Sequence, residues 1–209
     1  MVMPATVLSC TPAAATPAGP PIARSYRVEW VDCQHPDRAT LQAFIAAEFL
    51  DVYGARVSHF CNTLVGCRDD NGRWIAALGY SFARDGKTFL EQYLAAPLET
   101  EIAARIGNPV RRASIVEVGN LAARHAGAAR HLIVLMTKFL HEEGMAWVAF
   151  TATRGLLNSF TRLRLKPAIL AEADPRMLAD GGASWGSYYV TRPHVMFGNI
   201  QSGYAQLAE

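Results

Sequence analysis

At 209 residues and 51% hydrophobic, the chain is long and apolar enough for one domain with a real core, which excludes global disorder. Its formal charge of +2 leaves no electrostatic footprint for nucleic acid, and no apolar run is long enough to span a bilayer. Four scattered cysteines, Cys10, Cys33, Cys61 and Cys67, match no zinc-ligand pattern, so we expect free thiols in a reducing, cytoplasmic setting and no metal.

Residues 1–24 predict a disordered leader. They are rich in Pro, Ala and Thr to about Pro21 and lack the basic start and long apolar core of a signal peptide. Residues 25–209 then form one domain. From Ser25 to Val31 the residues alternate like a half-buried strand. His35-Pro36-Asp37 makes a turn with Asp37 as helix N-cap, and Leu41, Phe44, Ile45 and Phe49 recur at helical spacing on a core-facing side. Cys61–Cys67 and Trp74–Phe82 read as two strands joined by the Asp69-Asp70-Asn71-Gly72 hairpin turn. FLEQYL, residues 89–94, is apolar with Glu91 and Gln92 embedded. A short helix opens at Pro97 and Glu99 and ends near Gly107-Asn108-Pro109. A strand over 113–122, a helix over 128–143 with Gly144 at its C′ position, and a strand over 147–151 form the centre of the chain. A strand, a crossover helix and a strand imply a parallel pair with a right-handed connection. Residues 156–163 fit another helix, stopped before Pro167, and Trp185–Met196 reads as a strand and a turn. The fold class is mixed α/β, antiparallel in its first half.

Chemistry concentrates in residues 111–153. Arg124-His-Ala-Gly127-Ala-Ala129 has the form Arg-x-x-Gly-x-Ala between a predicted strand and the helix it opens. Small residues let a pyrophosphate approach the backbone, helix N-terminal amides favour an anion, and Arg124 can pair with it. The same residues also fit a plain strand-to-helix turn. Gly119, mid-strand, signals a bulge or a close approach. Glu117 alternates with Val116 and Val118, so it points to the other face of its strand. There it can serve as general base to an amine nucleophile, or pair with Arg112 or Arg154. Glu91 is a rival base whose apolar setting would raise its pKa, or a structural carboxylate capping nearby backbone. His125 and His131 fit surface or cap roles. Trp185, Tyr188 and Tyr189 form an aromatic patch that suits an acyl or acceptor pocket or ordinary sheet core. Ser114, Ser159 and Ser187 lack a nucleophile-elbow context, which argues against a serine hydrolase.

The broken strand, the Arg-x-x-Gly-x-Ala loop and the following helix resemble the acyl-CoA-binding motif of the GNAT superfamily of N-acetyltransferases. Asn158-Ser-Phe160-Thr-Arg162-Leu163 looks like that superfamily's Asn-containing helix. The resemblance covers about residues 25–172. It implies a mostly antiparallel central sheet flanked by helices, whose parallel β-α-β unit splays to admit a pantetheine arm. It would set Ala126, Gly127, Ala128, Ala129 and Arg130 at the phosphates, with Arg124 as cationic partner. Val118, Asn120 and Asn158 would complete the donor site, and Phe150, Trp185 and Tyr189 the substrate side. The tyrosine that often serves as general acid is replaced by Phe160, so that acid is either absent or supplied elsewhere, by Tyr188 or Tyr189, and Arg164-Leu165 replaces the usual Gly-Phe.

FLEQYL, IVEVGNLA, the loop, WVAFTAT and WGSYY, in that order, look like the bacterial thermostable hemolysin family. The strand with Glu117 also looks like that of acyl-homoserine-lactone synthases, which carry an Arg three residues after the Glu where this chain has Asn120. The resemblances imply an N-acyltransferase that takes its acyl group from acyl-CoA or acyl carrier protein and gives it to a small amine or amino acid. Two other readings stand beside it. One is a membrane-active hemolysin, for which Leu132–Leu140 is the best membrane element although it reads as a buried core helix. The other is a non-catalytic protein that binds acyl ligands or carrier protein.

Overall fold

The computed structural model describes residues 26–208; the expected leader lies outside them. In chain order the elements are β1 (Arg27–Val31), α1 (Arg38–Tyr53), β2 (Thr63–Arg68), β3 (Trp74–Phe82), α2 (Leu98–Ile106), β4 (Ile115–Ala123), α3 (Ala126–Glu142), β5 (Trp147–Ala152), α4 (Arg154–Arg162), β6 (Ala168–Glu172), β7 (His194–Asn199) and α5 (Ile200–Ala208). The strands form one sheet in the order β1-β2-β3-β4-β5-β7-β6. Each neighbouring pair is antiparallel except β4 and β5, which run parallel and are joined through α3. The expected mixed, mostly antiparallel sheet with a central parallel unit is the observed architecture.

Helices cover both faces. Leu41, Phe44 and Ile45 of α1 pack with Val31, Leu64, Trp74 and Ala77 on one face. Leu132, Met136 and Leu140 of α3 pack with Ala76, Leu78 and Val116 on the other. Each such side chain gives up roughly 1.5–3 kcal/mol if exposed. That cost holds α3 in the core against exposure to water. Among the described residues no helix is long and apolar enough to cross a membrane. Among the described residues Cys33, Cys61 and Cys67 are free thiols, and Cys10 lies outside them.

The β2–β3 hairpin forms as its turn residues dictate. Asp69 accepts from the amides of Asn71 and Arg73, and Gly72 takes the left-handed conformation at φ +75°. Asp37 precedes α1 but does not cap it through its side chain; its carboxylate accepts instead from Arg68 Nη2, at the end of β2, at 2.8 Å.

The C-terminal third departs from expectation. Trp185–Met196 is not a strand and a turn. Residues 183–185 and 188–191 are 3-10 turns, and the strand begins only at His194. Gly186 explains why. Its φ is +51°, and a Cβ there would collide with the carbonyl of Tyr53. The segment is tied to the end of α1, with Arg56 N donating to Ser184 O at 2.7 Å and Ser187 N to Tyr53 O at 2.8 Å. Aromatic residues that read as strand formers thus sit in a compact loop. Strand β6 and helix α5 complete the domain. Asn199 Oδ1 accepts from Ser202 N at 2.8 Å, an N-cap signal that was present in the sequence.

Candidate active site

The site begins with a break between two strands. Strands β4 and β5 pair from Ile115–Trp147 to Val118–Phe150 and no further, although both continue. The cause is a bulge in β4. Three steps from Gly119 to Ala122 oppose only two steps from Gly79 to Ala77 on β3. Asn120 absorbs the extra residue at φ +52°, a left-handed conformation that asparagine tolerates better than most residues. Its side chain fixes the bulge by accepting from Cys61 N at 2.9 Å and donating to His59 O at 3.0 Å. Gly119 adjoins the bulge but is not the close-packed glycine. A Cβ at Gly79 would lie 2.7 Å from Cys61 Cβ and 2.9 Å from Leu64 Cδ2, whereas one at Gly119 would meet only Cys61 Sγ at 3.4 Å.

A cavity of about 530 Å³ runs through the break, within the range of small-molecule sites. On the α1 face its wall is aromatic, with Phe49, Tyr53, Phe89, Trp185 and Tyr188, and with His59 at the rim. On the α3 face Ile133, Met136, Leu140, Phe160, Leu165 and Ile200 enclose an apolar chamber. Val118, Asn120 and Phe150 line the passage between them. Phe160 is therefore part of the wall, 4.9 Å from Phe150 between ring centroids.

Glu117 lines this cavity and is 4% exposed. Its carboxylate accepts from Phe89 N at 2.8 Å and Leu90 N at 3.2 Å, at the start of the 3-10 turn Phe89–Tyr93. Burial pushes its pKa up to about 7, more than the two amides pull it down, and the charge of Glu91 adds to the rise. The group is therefore divided between its two protonation states near neutrality. Neither of the expected arginine partners reaches it, because Arg112 is spent on Glu91.

Glu91 is a correction. Of its two expected readings, a base with a raised pKa and a structural carboxylate capping nearby backbone, the second is the one observed, in a second cavity beside Arg112. Burial does push it upward, yet Arg112 at 2.6 Å and the amides of Leu98 and Thr88 outweigh that and hold it at about 2. An acid that strong is a poor base at pH 7. Glu91 instead clamps the FLEQYL turn to the start of α2, and Arg112 bridges it to Glu99 at 2.8 Å.

The aromatic residues divide. Trp185 and Tyr188 line the cavity, but Tyr189 does not. It packs behind the wall, its hydroxyl 2.6 Å from that of Tyr93. Burial raises the Tyr188 phenol above its ordinary value, so it stays protonated and is a weak acid. Burial, helped by the charge of Glu117, also pushes the Cys61 thiol in the cavity wall up to about 12, which leaves it a poor nucleophile.

At the loop, helix α3 starts at Ala126, two residues earlier than expected, with His125 as N-cap. Its Nδ1 accepts from Ala128 N at 3.1 Å, and its carbonyl from Ala128 N and Ala129 N. The amides of Ala126 and Gly127 precede the first intrahelical bonds. Ala128 is buried in the core, Ala126 is exposed, and Ala129 and Arg130 lie between these extremes. Arg124 turns toward α1, with Nε 3.5 Å from Glu48 and its guanidinium above the Phe44 ring. Asn158 is exposed on α4, whose buried polar residue is Ser159. None of these lines the cavity; the loop residues sit where β4 leads out of it. His59, Phe49, Tyr53 and the α3 residues Ile133 and Met136 were not singled out in the sequence as site residues. The helical period of α3 marked its apolar side as core, and nothing local to His59 distinguishes it from a surface residue.

A family model described as Thermostable hemolysin matches residues 31–204. No curated protein matches the chain in sequence. Solved structures do share its fold. FeeM, an N-acyl amino acid synthase from uncultured soil microbes, superposes with a TM-score of 0.60 at 12% identity, over 88% of this chain and 95% of that one. The AHL synthase LasI gives 0.58 at 10% identity, over 85% and 91%. BjaI, a CoA-dependent acyl-homoserine lactone synthase solved with SAM and isopentyl-CoA, gives 0.58 at 13% identity, over 88% of each chain. At these identities the likeness is one of fold, and that fold is GNAT-like.

Proposed function

The chain belongs to the thermostable hemolysin family, and we propose that it is an N-acyltransferase. The donor is a CoA thioester or the phosphopantetheine arm of acyl carrier protein, and the acceptor is an amine. The observation that carries this reading is Glu117, a buried carboxyl with a pKa near 7 in the wall of a cavity that passes through the β4–β5 break. Beyond Val118, β4 has no partner in β5, so a pantetheine arm can lie along it as a surrogate strand. The amides at the start of α3 and Arg124 suit the pyrophosphate, provided Arg124 leaves Glu48. The apolar chamber under α3 suits the acyl tail.

In the reaction the amine lone pair attacks the thioester carbonyl carbon. The C–N bond forms and the C–S bond breaks. Glu117 accepts the proton that the nitrogen sheds, and that proton leaves with the thiolate as free thiol. Tyr188, kept protonated by burial, is suited to donate a hydrogen bond to substrate rather than a proton.

The test is a titration of the protein with CoA and octanoyl-CoA, or with acyl carrier protein, following melting temperature. A ligand-dependent rise in wild type that is reduced in Arg124→Ala and retained in Glu117→Gln is expected. No shift with any of these donors would refute the reading.

A further inference from the structure

The charge around Glu117 carries a second inference, which rests on the transferase reading and concerns the acceptor. On the α1 face the cavity is walled by aromatic rings, and among the described residues lining it Glu117 is the one carboxyl. Burial lowers the pKa of His59 at the rim, so the imidazole is neutral at pH 7, stacked on Phe89 with centroids 4.8 Å apart. No described Lys or Arg lines this half. The two cations that line the cavity, Arg164 and Lys166, are exposed and follow α4, which packs on the opposite face of the sheet. Arg38 lies near this side, but its guanidinium is committed to the carbonyls of Val31, Asn62 and Cys61. The Asn120 amide is likewise committed to Cys61 and His59.

We infer that the acceptor is an amine with an apolar body of aromatic size and no carboxylate, rather than an amino acid. The α-carboxylate of an amino acid lies one carbon from the reacting nitrogen. When that nitrogen reaches Glu117, a second carboxylate enters the same aromatic walls beside a like charge, with no cation to pair it. Burial of an unpaired charge is costly and two neighbouring carboxylates oppose each other's ionisation. An ammonium group meets the reverse conditions. Aromatic faces attract it, and the Glu117 carboxylate pairs with it until it releases a proton to solvent and reacts as the neutral amine.

The experiment uses the full chain with octanoyl-CoA and three acceptors of one shape: 2-phenylethylamine, phenylalanine and phenylalaninamide. Product is followed by CoA release and by mass. The amine should exceed phenylalanine in kcat/KM by at least about tenfold, the equivalent of about 1.4 kcal/mol, and phenylalaninamide should group with the amine. His59→Arg, which sets a cation at the rim, should narrow that ratio. Phenylalanine acylated as well as the amine would overturn the inference and leave the transferase standing. A donor that raises the melting temperature with none of the three acylated would overturn it as well. Failure of both donor binding and turnover would remove the transferase reading beneath it.

Discussion

Glu117→Gln tests the environment of the proposed base independently of any substrate. The carboxyl has an ordinary value of 4.5 and is pushed to about 7 in the folded chain. The folded state therefore holds a proton at pH values where the unfolded state has released it. Its favourable contribution is fully present below about 4.5, declines as pH rises, and levels off above about 7. Between about pH 5 and pH 8 these two values make wild type lose roughly 2–3 kcal/mol through this group alone. Glutamine does not titrate, but it pairs less well with the two amides. Its carbonyl can accept from Phe89 or Leu90, and its NH2 faces the other, a fixed cost of about 1–3 kcal/mol. The variant should thus be less stable than wild type at the acid end, and the deficit should shrink or reverse at the alkaline end. Urea unfolding of both proteins at matched pH measures the difference, and every other titrating group cancels from it. A flat difference across this range would mean that Glu117 ionises normally, and the argument for a base poised near neutrality would fail.

The same variant should lower kcat by about 10²- to 10⁴-fold while the donor still raises its melting temperature; activity near wild type would exclude Glu117 as base. Arg112→Ala leaves Glu91 buried without its partner and should cost at least about 2 kcal/mol in urea unfolding. Because the folded pKa of Glu91 is depressed, its contribution is present above about 4.5 and lost as pH falls toward 2, so the Arg112→Ala deficit should shrink in acid; a deficit that holds constant contradicts the pairing. Gly186→Ala forces a Cβ into the Tyr53 carbonyl at positive φ and should cost about 2 kcal/mol or more. It should also raise KM for the acceptor more than for the donor, since it loosens the loop that carries Trp185 and Tyr188; equal effects on both would disconnect that loop from the acceptor.

What could be read from the sequence follows from how local each signal is. Strand β3, the 69–72 turn and helix α2 rest on alternation and turn chemistry within a few residues, and they appear where expected. The central β-α-β unit was legible because an apolar helix between two apolar strands leaves few alternatives. The loop at 183–191 was not, because its shape is dictated by contacts with Tyr53 and Arg56, more than a hundred residues earlier. Five-residue β6 exists only as an edge partner of β7, and its short apolar run carries no period long enough to declare it. Within the site, the alternation that sends Glu117 away from Val116 and Val118 could be read directly. Its amide partners could not, since the turn Phe89–Tyr93 meets β4 only in the folded sheet.

The two carboxylates show how one segment sets acid–base roles through environment. The 3-10 turn Phe89–Tyr93 presents its first two amides to Glu117 and carries Glu91 itself. Both carboxyls are buried and both accept backbone N–H groups, but Glu117 lies deeper, and only Glu91 has a partner in Arg112. It sits 2.6 Å from Glu91 and has no contact with Glu117, and the two pKa values part to about 2 and about 7. The permanently charged Glu91 then raises Glu117 further through space. Removing Arg112 would do more than unbalance a structural pair. Glu91 would rise toward protonation, its charge would fade, and part of the upward push on Glu117 would go with it. The turn thus couples a structural ion pair to the readiness of the proposed base, a division of labour set by one arginine's reach.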